Sequence, residues 1–223
     1  YRAALAPAAG VRSSGAAVLG DLHVGLADVL READRLQAAA EQLDQAAELG
    51  ESASLPENRF RWFVVRAGLQ VAVGQFEAAL ADLAEAERRY RPGFLPDIRP
   101  LHAARARVLI RSGRLDEARA WARDHAVVDA DPTDFAREDE VLTYARLVAA
   151  ERRAGRSNDR EIEHVLTLTE QIVTAAERAR RSGSRVEALT VRSLALAAAD
   201  APAVDTLAAA VTPGVAAGYA RLF

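Results

Sequence analysis

Apolar residues recur every three or four positions along most of the chain, which is the spacing of one face of an α-helix. The first two stripes are Leu22, Leu26, Val29 and Leu30, then Leu36, Ala40, Leu43 and Ala47. Signals for β-strands are poor, because valine and isoleucine are scattered, aromatic residues make up 5% of the chain, and no Asn-Gly or Asp-Gly hairpin turn occurs. The pattern predicts an all-α fold.

The predicted helices come in pairs, each joined by a short turn and separated from the next pair by a stretch of helix-breaking residues. The turns are expected at Asp34, Gly74, Gly113, Gly155 and Asp200. The five predicted hairpins span residues 17–49, 57–90, 99–126, 138–181 and 185–211. Successive turns lie about 40 residues apart, an interval typical of helical repeat proteins.

Three of the turns share a sequence pattern, in which a large apolar residue follows the turn and alanine comes three places later. The apolar residues are Leu36, Phe76 and Leu115, and the alanines are Ala39, Ala79 and Ala118. Small residues on the preceding helix, Ala27, Ala67 and Ala106, are expected to face them. Because one hairpin cannot bury its apolar face alone, neighbours must stack. The sequence thus predicts a right-handed superhelical solenoid of about five tetratricopeptide-like hairpins, forming a single repeat domain over residues 1–223.

The composition narrows the possible functions. The formal net charge is -3, so the chain as a whole does not attract nucleic acid or an anionic membrane, and no apolar run is long enough to span a bilayer. Cysteine is absent, which excludes disulfides. All 29 basic residues are arginine, so the lysine of a phosphate-binding loop is missing. Methionine and a signal peptide are also missing, and we therefore expect a piece of a larger, cytoplasmic protein.

No residue pattern in the sequence supports catalysis. The four histidines, His23, His102, His125 and His164, are expected on different hairpins, without the spacing of a metal site. No serine occupies a nucleophile-elbow pattern. We predict that this chain is not an enzyme and that it holds neither a metal nor a cofactor.

Several stretches resemble a known family in the order in which they occur. They are "HVGLADVLREADRLQAAAEQL" (23–43), "EDEVLTYARLVAAERRAGR" (138–156), "ERARRSGSRVEALTVRSLALAA" (177–198) and "GYARLF" (218–223). Together they resemble the helical sensor domain of large LuxR-type transcriptional activators related to the maltose-regulon activator (MalT-like). The resemblance implies that ATP hydrolysis and DNA binding belong to other parts of the regulator. It also implies that an effector bound by this domain controls self-association of the whole protein.

The candidate ligand-binding residues are predicted on the concave side of the solenoid, where first helices of successive hairpins converge. The set is Arg61, Trp62, Arg66, Arg107, Tyr144 and Arg146. Arginine forks suit a sugar or an anionic metabolite. The structural alternative is that these arginines pair with glutamates such as Glu32 and Glu151.

The aromatic segment around residue 62 has two interpretations. Phe60, Phe63 and Val64 follow helical spacing and are expected in the core, whereas Trp62 falls off that stripe. Trp62 is then either half-buried under a loop or a stacking surface for a planar ligand. At the level of function, the alternative to a small-molecule sensor is a scaffold whose groove holds a peptide or a partner protein.

Overall fold

The computed structural model describes residues 18–92 and 97–222. Ten α-helices lie in these residues, and none of the described residues forms a β-strand. In chain order the helices are α1 (Leu19–Glu32), α2 (Leu36–Leu49), α3 (Phe60–Ala72), α4 (Phe76–Arg89), α5 (Leu101–Arg111), α6 (Leu115–Asp124), α7 (Glu138–Arg153), α8 (Asp159–Arg178), α9 (Ser182–Ala198) and α10 (Val204–Ala216). The predicted all-α fold is confirmed.

Consecutive helices pack in pairs, α1 with α2 through to α9 with α10, as the helix-hairpin prediction requires. The chain divides into two compact units, Tyr1–Leu95 and Pro96–Phe223. The first contains two hairpins, in which α1 and α3 are in contact. The second contains three hairpins, in which α7 contacts both α5 and α9. One repeat domain over the whole chain stays a prediction.

All five predicted turn residues adopt the left-handed backbone conformation that reverses the chain between the helices of a pair. Their φ angles are 58° at Asp34, 78° at Gly74 and at Gly113, 69° at Gly155 and 54° at Asp200. Glycine has no Cβ to clash in this region, and aspartate is among the few other residues that enter it with modest strain. The turn chemistry read from the sequence is therefore confirmed.

The six small residues predicted at the hairpin crossings are buried. Ala27, Ala39, Ala79 and Ala118 are 0% exposed, Ala106 is 1% exposed and Ala67 is 2% exposed. A buried alanine at a helix crossing lets the two backbones approach closely, whereas a larger side chain would hold them apart. The repeated alanine thus sets the distance between the helices of each pair.

We expect Ala79→Phe to lower the free energy of unfolding by about 1–3 kcal/mol, because a phenyl ring cannot enter the crossing without displacing α4 from α3. The neighbouring Ala78 is exposed on the same helix, so Ala78→Phe is the matched control. Urea denaturation followed by circular dichroism measures both variants. Equal stability of the two would contradict the account of the crossing.

Several predicted boundaries differ from the structure. The helix expected from residue 57 begins at Phe60, since Pro56–Asn58 forms a short 3-10 turn instead. The helix expected to end at residue 211 continues through Pro213 to Ala216. The predicted start at residue 17 and the central part of the 91–100 breaker, residues 93–96, lie outside the described residues.

The expected core of α3 is only partly correct. Phe60, Phe63 and Val64 are each half-buried, whereas Val65 and Ala67 are the buried residues of this helix. Phe60 instead packs edge-on against Tyr90, with 5.1 Å between ring centroids. The buried face of α3 is therefore rotated from the predicted aromatic stripe.

Candidate functional site

A groove of about 200 Å³ opens in the first unit, between its two hairpins and the loop that joins them. Its apolar lining comes from α1, α2 and α3, as Val24, Ala46, Ala47, Trp62 and Phe63. Its charged lining consists of Glu51, Arg59 and Arg89. Residues from both first and second helices contribute, so the groove differs from the site formed mainly by first helices that the sequence predicts.

The loop that carries Glu51 is fastened to α1. One carboxylate oxygen of Asp21, Oδ2, accepts hydrogen bonds from the Leu55 backbone N–H at 3.2 Å and from Asn58 Nδ2 at 2.9 Å. The methyl group of Ala53, 4% exposed, closes the loop against the helix. A Cβ on Gly20 would lie 2.7 Å from the Ala53 carbonyl oxygen, so only glycine permits this approach. The backbone beside the groove is thereby held in place.

Trp62 forms one wall of the groove and also anchors α3 to the first hairpin. Its indole Nε1–H donates to the Leu43 carbonyl oxygen at 3.0 Å, and the ring packs against the core of that hairpin. The Phe63 ring stands nearly perpendicular to it, at 82° with 5.0 Å between centroids. Two aromatic rings at a right angle make a corner that suits a flat apolar group.

The rim of the groove is an ion-pair cluster centred on Glu51. The carboxylate of Glu51 accepts from Arg89 Nη1 at 2.6 Å and from Arg59 Nη1 at 3.4 Å. The hydrogen bond from Arg89 is the main cause that lowers the pKa of Glu51 below its ordinary value. The Arg89 guanidinium also lies over the Phe63 ring, 5.0 Å from its centroid. Arg59 keeps one buried atom, Nε, without a hydrogen-bond partner.

The other two predicted residues of this unit do not line the groove. Arg66 lies over the Trp62 ring at 4.2 Å, and its fork donates two hydrogen bonds to Asp82, the one from Nε at 2.6 Å. Asp82 is 5% exposed, so this pair ties α3 to α4. Arg61 is half-exposed, and no hydrogen bond or ion pair within residues 18–92 involves its side chain. Of the six predicted residues, Trp62 alone lines this groove.

The remaining three predicted residues lie in the second unit and face protein groups. Arg107 Nη1 donates to both oxygens of Asp139 at 2.8 Å and to Thr143 Oγ1 at 3.0 Å. Arg146 Nη2 donates to Glu187 Oε1 at 3.1 Å. Tyr144 is 2% exposed, which leaves almost none of its ring accessible to a ligand.

These contacts join the first helices of three successive hairpins, α5, α7 and α9. The convergence expected from the sequence is therefore present in the second unit, but the groups that meet the arginines are the carboxylates of Asp139 and Glu187. Burial would raise the pKa of Glu187, yet the pKa is lowered because Arg146, Arg99 and Arg107 surround the carboxylate. We call Arg107, Asp139, Arg146 and Glu187 the inner charge ladder.

Three of the four predicted arginines, Arg66, Arg107 and Arg146, pair with carboxylates, but not with the glutamates named in the structural alternative. Glu32 pairs with Arg31 at 3.4 Å, and Glu151 pairs with Arg119, whose Nε lies at 3.1 Å. Their ion pairs are with Arg31 and Arg119, which are not among the six predicted residues. The charged residues are evident from the sequence, but their pairing depends on how helices of different hairpins align, which the sequence pattern does not give.

The third hairpin contains a cluster of His102, Trp121 and His125 that was not predicted from the sequence. The expectation that the histidines lie on different hairpins is wrong for two of them, since the rings of His102 and His125 stack in the third hairpin with 4.0 Å between centroids. The Trp121 Nε1–H donates to His102 Nδ1 at 2.9 Å. Burial, followed by the proximity of His125, lowers the pKa of His102 to about 4. No group of three or more histidine, aspartate or glutamate side chains in the described residues is arranged to hold a metal ion.

Comparison with known proteins gives one family. The sequence model of one protein family, the MalT-like TPR region, matches residues 1–223, the whole chain. A search among curated proteins finds no match. Within residues 18–92 and 97–222, no helix has the length and apolarity needed to cross a membrane.

Proposed function

Because the chain belongs to the MalT-like TPR family, we propose that it is the sensor region of a MalT-type transcriptional regulator and that it binds a small-molecule effector. The observation that carries this proposal is the groove of the first unit, where an aromatic corner meets two guanidinium groups at the rim. Ligand sites in proteins are typically apolar concavities with a few polar groups that fix the orientation of the ligand.

The groove also offers a mechanism for sensing. Its walls come from two hairpins and from the loop between them, so a ligand in it contacts both hairpins at once. In helical repeats each unit is stabilised by its neighbours, and a ligand that bridges two units favours the arrangement in which both are docked. The bound state would then favour self-association of the parent regulator, with ATP turnover and DNA binding carried by its other parts.

A thermal-shift screen of the purified chain against sugars, carboxylic acids, nucleotides and peptides tests this proposal. An effector present at one hundred times its Kd stabilises the protein by about 2.7 kcal/mol, which is readily measured as a rise in Tm. We expect Ala47→Phe to abolish the shift, because Ala47 is exposed and its side chain would fill the groove.

The matched control is Ala81→Phe, an exposed position of α4 that does not line the groove. This variant should retain the full ligand-induced shift. A shift that Ala47→Phe leaves unchanged would place the ligand elsewhere. A response to peptides but to no small molecule would favour the scaffold function instead.

A further inference from the structure

We infer that the effector is a flat apolar molecule bearing a carboxylate, and that the carboxylate binds by displacing Glu51 from Arg89 and Arg59. This inference rests on the proposed function of the groove and specifies its ligand class. Glu51 lines the groove and has the same chemical group, a carboxylate, as such a ligand. In the absence of ligand, the Glu51 carboxylate forms ion pairs with both arginines.

The contacts of Glu51 show why it can leave. Its side chain is 62% exposed, and it is held only through its carboxylate, by Arg89 at 2.6 Å and by Arg59 at 3.4 Å. Exposed ion pairs of this kind contribute little to stability, because water solvates the separated charges well. The backbone of the loop is fixed at Ala53, so a rotation of the Glu51 side chain suffices to free both guanidinium groups.

The charges that remain favour an anion. With Glu51 rotated out, Glu85 is the one carboxylate among residues 18–92 that still pairs with either of the cations Arg59 and Arg89, and it accepts hydrogen bonds from Arg89 and also from Arg88. Both cations line the groove, whereas Glu85 does not. A carboxylate is the group that guanidinium binds with the best geometry, because planar donors meet planar acceptors. A neutral sugar that took the place of Glu51 would leave this charge uncompensated.

The apolar part of the ligand is set by the size and lining of the groove. A volume of about 200 Å³ exceeds the cavity of about 150 Å³ that holds benzene in an engineered protein core. One or two fused rings therefore fit beside Trp62 and Phe63, where the perpendicular pair offers one face contact and one edge contact. The methyl groups of Ala46 and Ala47 complete the apolar lining.

The experiment compares matched probes that differ only in charge: indole-3-acetate with indole-3-acetamide, and phenylacetate with phenylacetamide. Binding is measured by isothermal titration and by the shift in Tm. We expect each carboxylate to bind and each amide to bind at least tenfold more weakly. Ala47→Phe should abolish binding of both carboxylates, which assigns them to the groove.

Three further variants test the role of Glu51. Glu51→Gln removes the competing carboxylate and should lower the Kd of the carboxylates about three- to tenfold, consistent with the modest strength of exposed pairs. Glu57→Gln, in the same loop but outside the groove, should leave the Kd unchanged. Arg89→Gln should remove the preference for carboxylate over amide.

The outcomes separate this inference from the proposed function. If the carboxylates fail to bind both the native chain and Glu51→Gln, or if the amides bind equally well, the ligand class is wrong. The proposed function still stands if the wider screen finds a neutral ligand whose binding Ala47→Phe abolishes. If Glu51→Gln weakens carboxylate binding, Glu51 does not compete with the ligand and the inference is overturned.

Discussion

Glu187→Ala is expected to lower the free energy of unfolding of the second unit by about 3–5 kcal/mol, the range for breaking a buried ion pair by removing one partner. Glu187 is 9% exposed, and Arg146 and Arg99 donate to its two oxygens. Without the carboxylate, the guanidinium of Arg146, whose side chain is 18% exposed, loses the acidic group that it pairs with. One of its atoms, Nη1, already lacks a hydrogen-bond partner.

Urea denaturation followed by circular dichroism measures the loss, and hydrogen exchange localises it to α7 and α9. The control is Glu170→Ala, which removes an ion pair with Arg192. Because the Glu170 side chain is 57% exposed, this substitution should lower the free energy of unfolding by less than about 1 kcal/mol. A double variant, Glu187→Met with Arg146→Met, should recover much of the stability, since it removes both members of the ion pair. Equal effects of Glu187→Ala and Glu170→Ala would contradict the assignment of the inner charge ladder to the core of the unit.

Acidification from pH 7 to pH 4.5 is expected to destabilise the native chain by about 2 kcal/mol more than a His102→Gln variant. The pKa of His102 is lowered from 6.5 to about 4, first by burial and then by the adjacent His125. Between these two values the unfolded chain binds a proton that the folded chain does not, so stability falls as the pH falls through this window. The destabilisation is absent above pH 6.5 and reaches its full size below pH 4. Its magnitude is reduced because the His102 side chain is one-third exposed.

The geometry explains the preference for the neutral ring. The indole N–H of Trp121 points at His102 Nδ1, which must therefore remain an acceptor, while Nε2 faces Glu140 Oε1 at 3.5 Å. Glutamine preserves an acceptor for Trp121 but does not titrate in this range. Urea denaturation at a series of pH values measures the difference, and His164→Gln, at an exposed position, is the control. A stability difference between the native chain and His102→Gln that does not change with pH would contradict the prediction.

The parts of this fold that were predictable are those set by neighbours in sequence. A turn residue such as Gly113 and the alanine that follows five places later, Ala118, specify a local conformation and a local approach of two helices. Nothing outside the hairpin is needed to interpret them. The repeat of that pattern predicted the pairing of helices in the first three hairpins.

The candidate site was less predictable because its contacts join distant parts of the sequence. Glu51 reaches Arg89 across 38 residues, and Arg146 reaches Glu187 across 41. An arginine on a helix has many possible acidic partners, and the choice depends on the rotation and offset of neighbouring hairpins. The prediction that Phe63 lies in the core was wrong for the same reason, since its partner Arg89 comes from the next helix.

One contact of the second unit has a consequence for how that unit folds. Arg99, which precedes α5, donates to Glu187 of α9 at 3.4 Å, and the charge of Arg107 on α5 acts on the same carboxylate. In most helical arrays a repeat contacts only the one before and the one after it. Here the third and fifth hairpins interact directly across the fourth. Folding of the second unit should therefore be more cooperative than stepwise addition of hairpins, and deleting the fifth hairpin should loosen the third as well as the fourth.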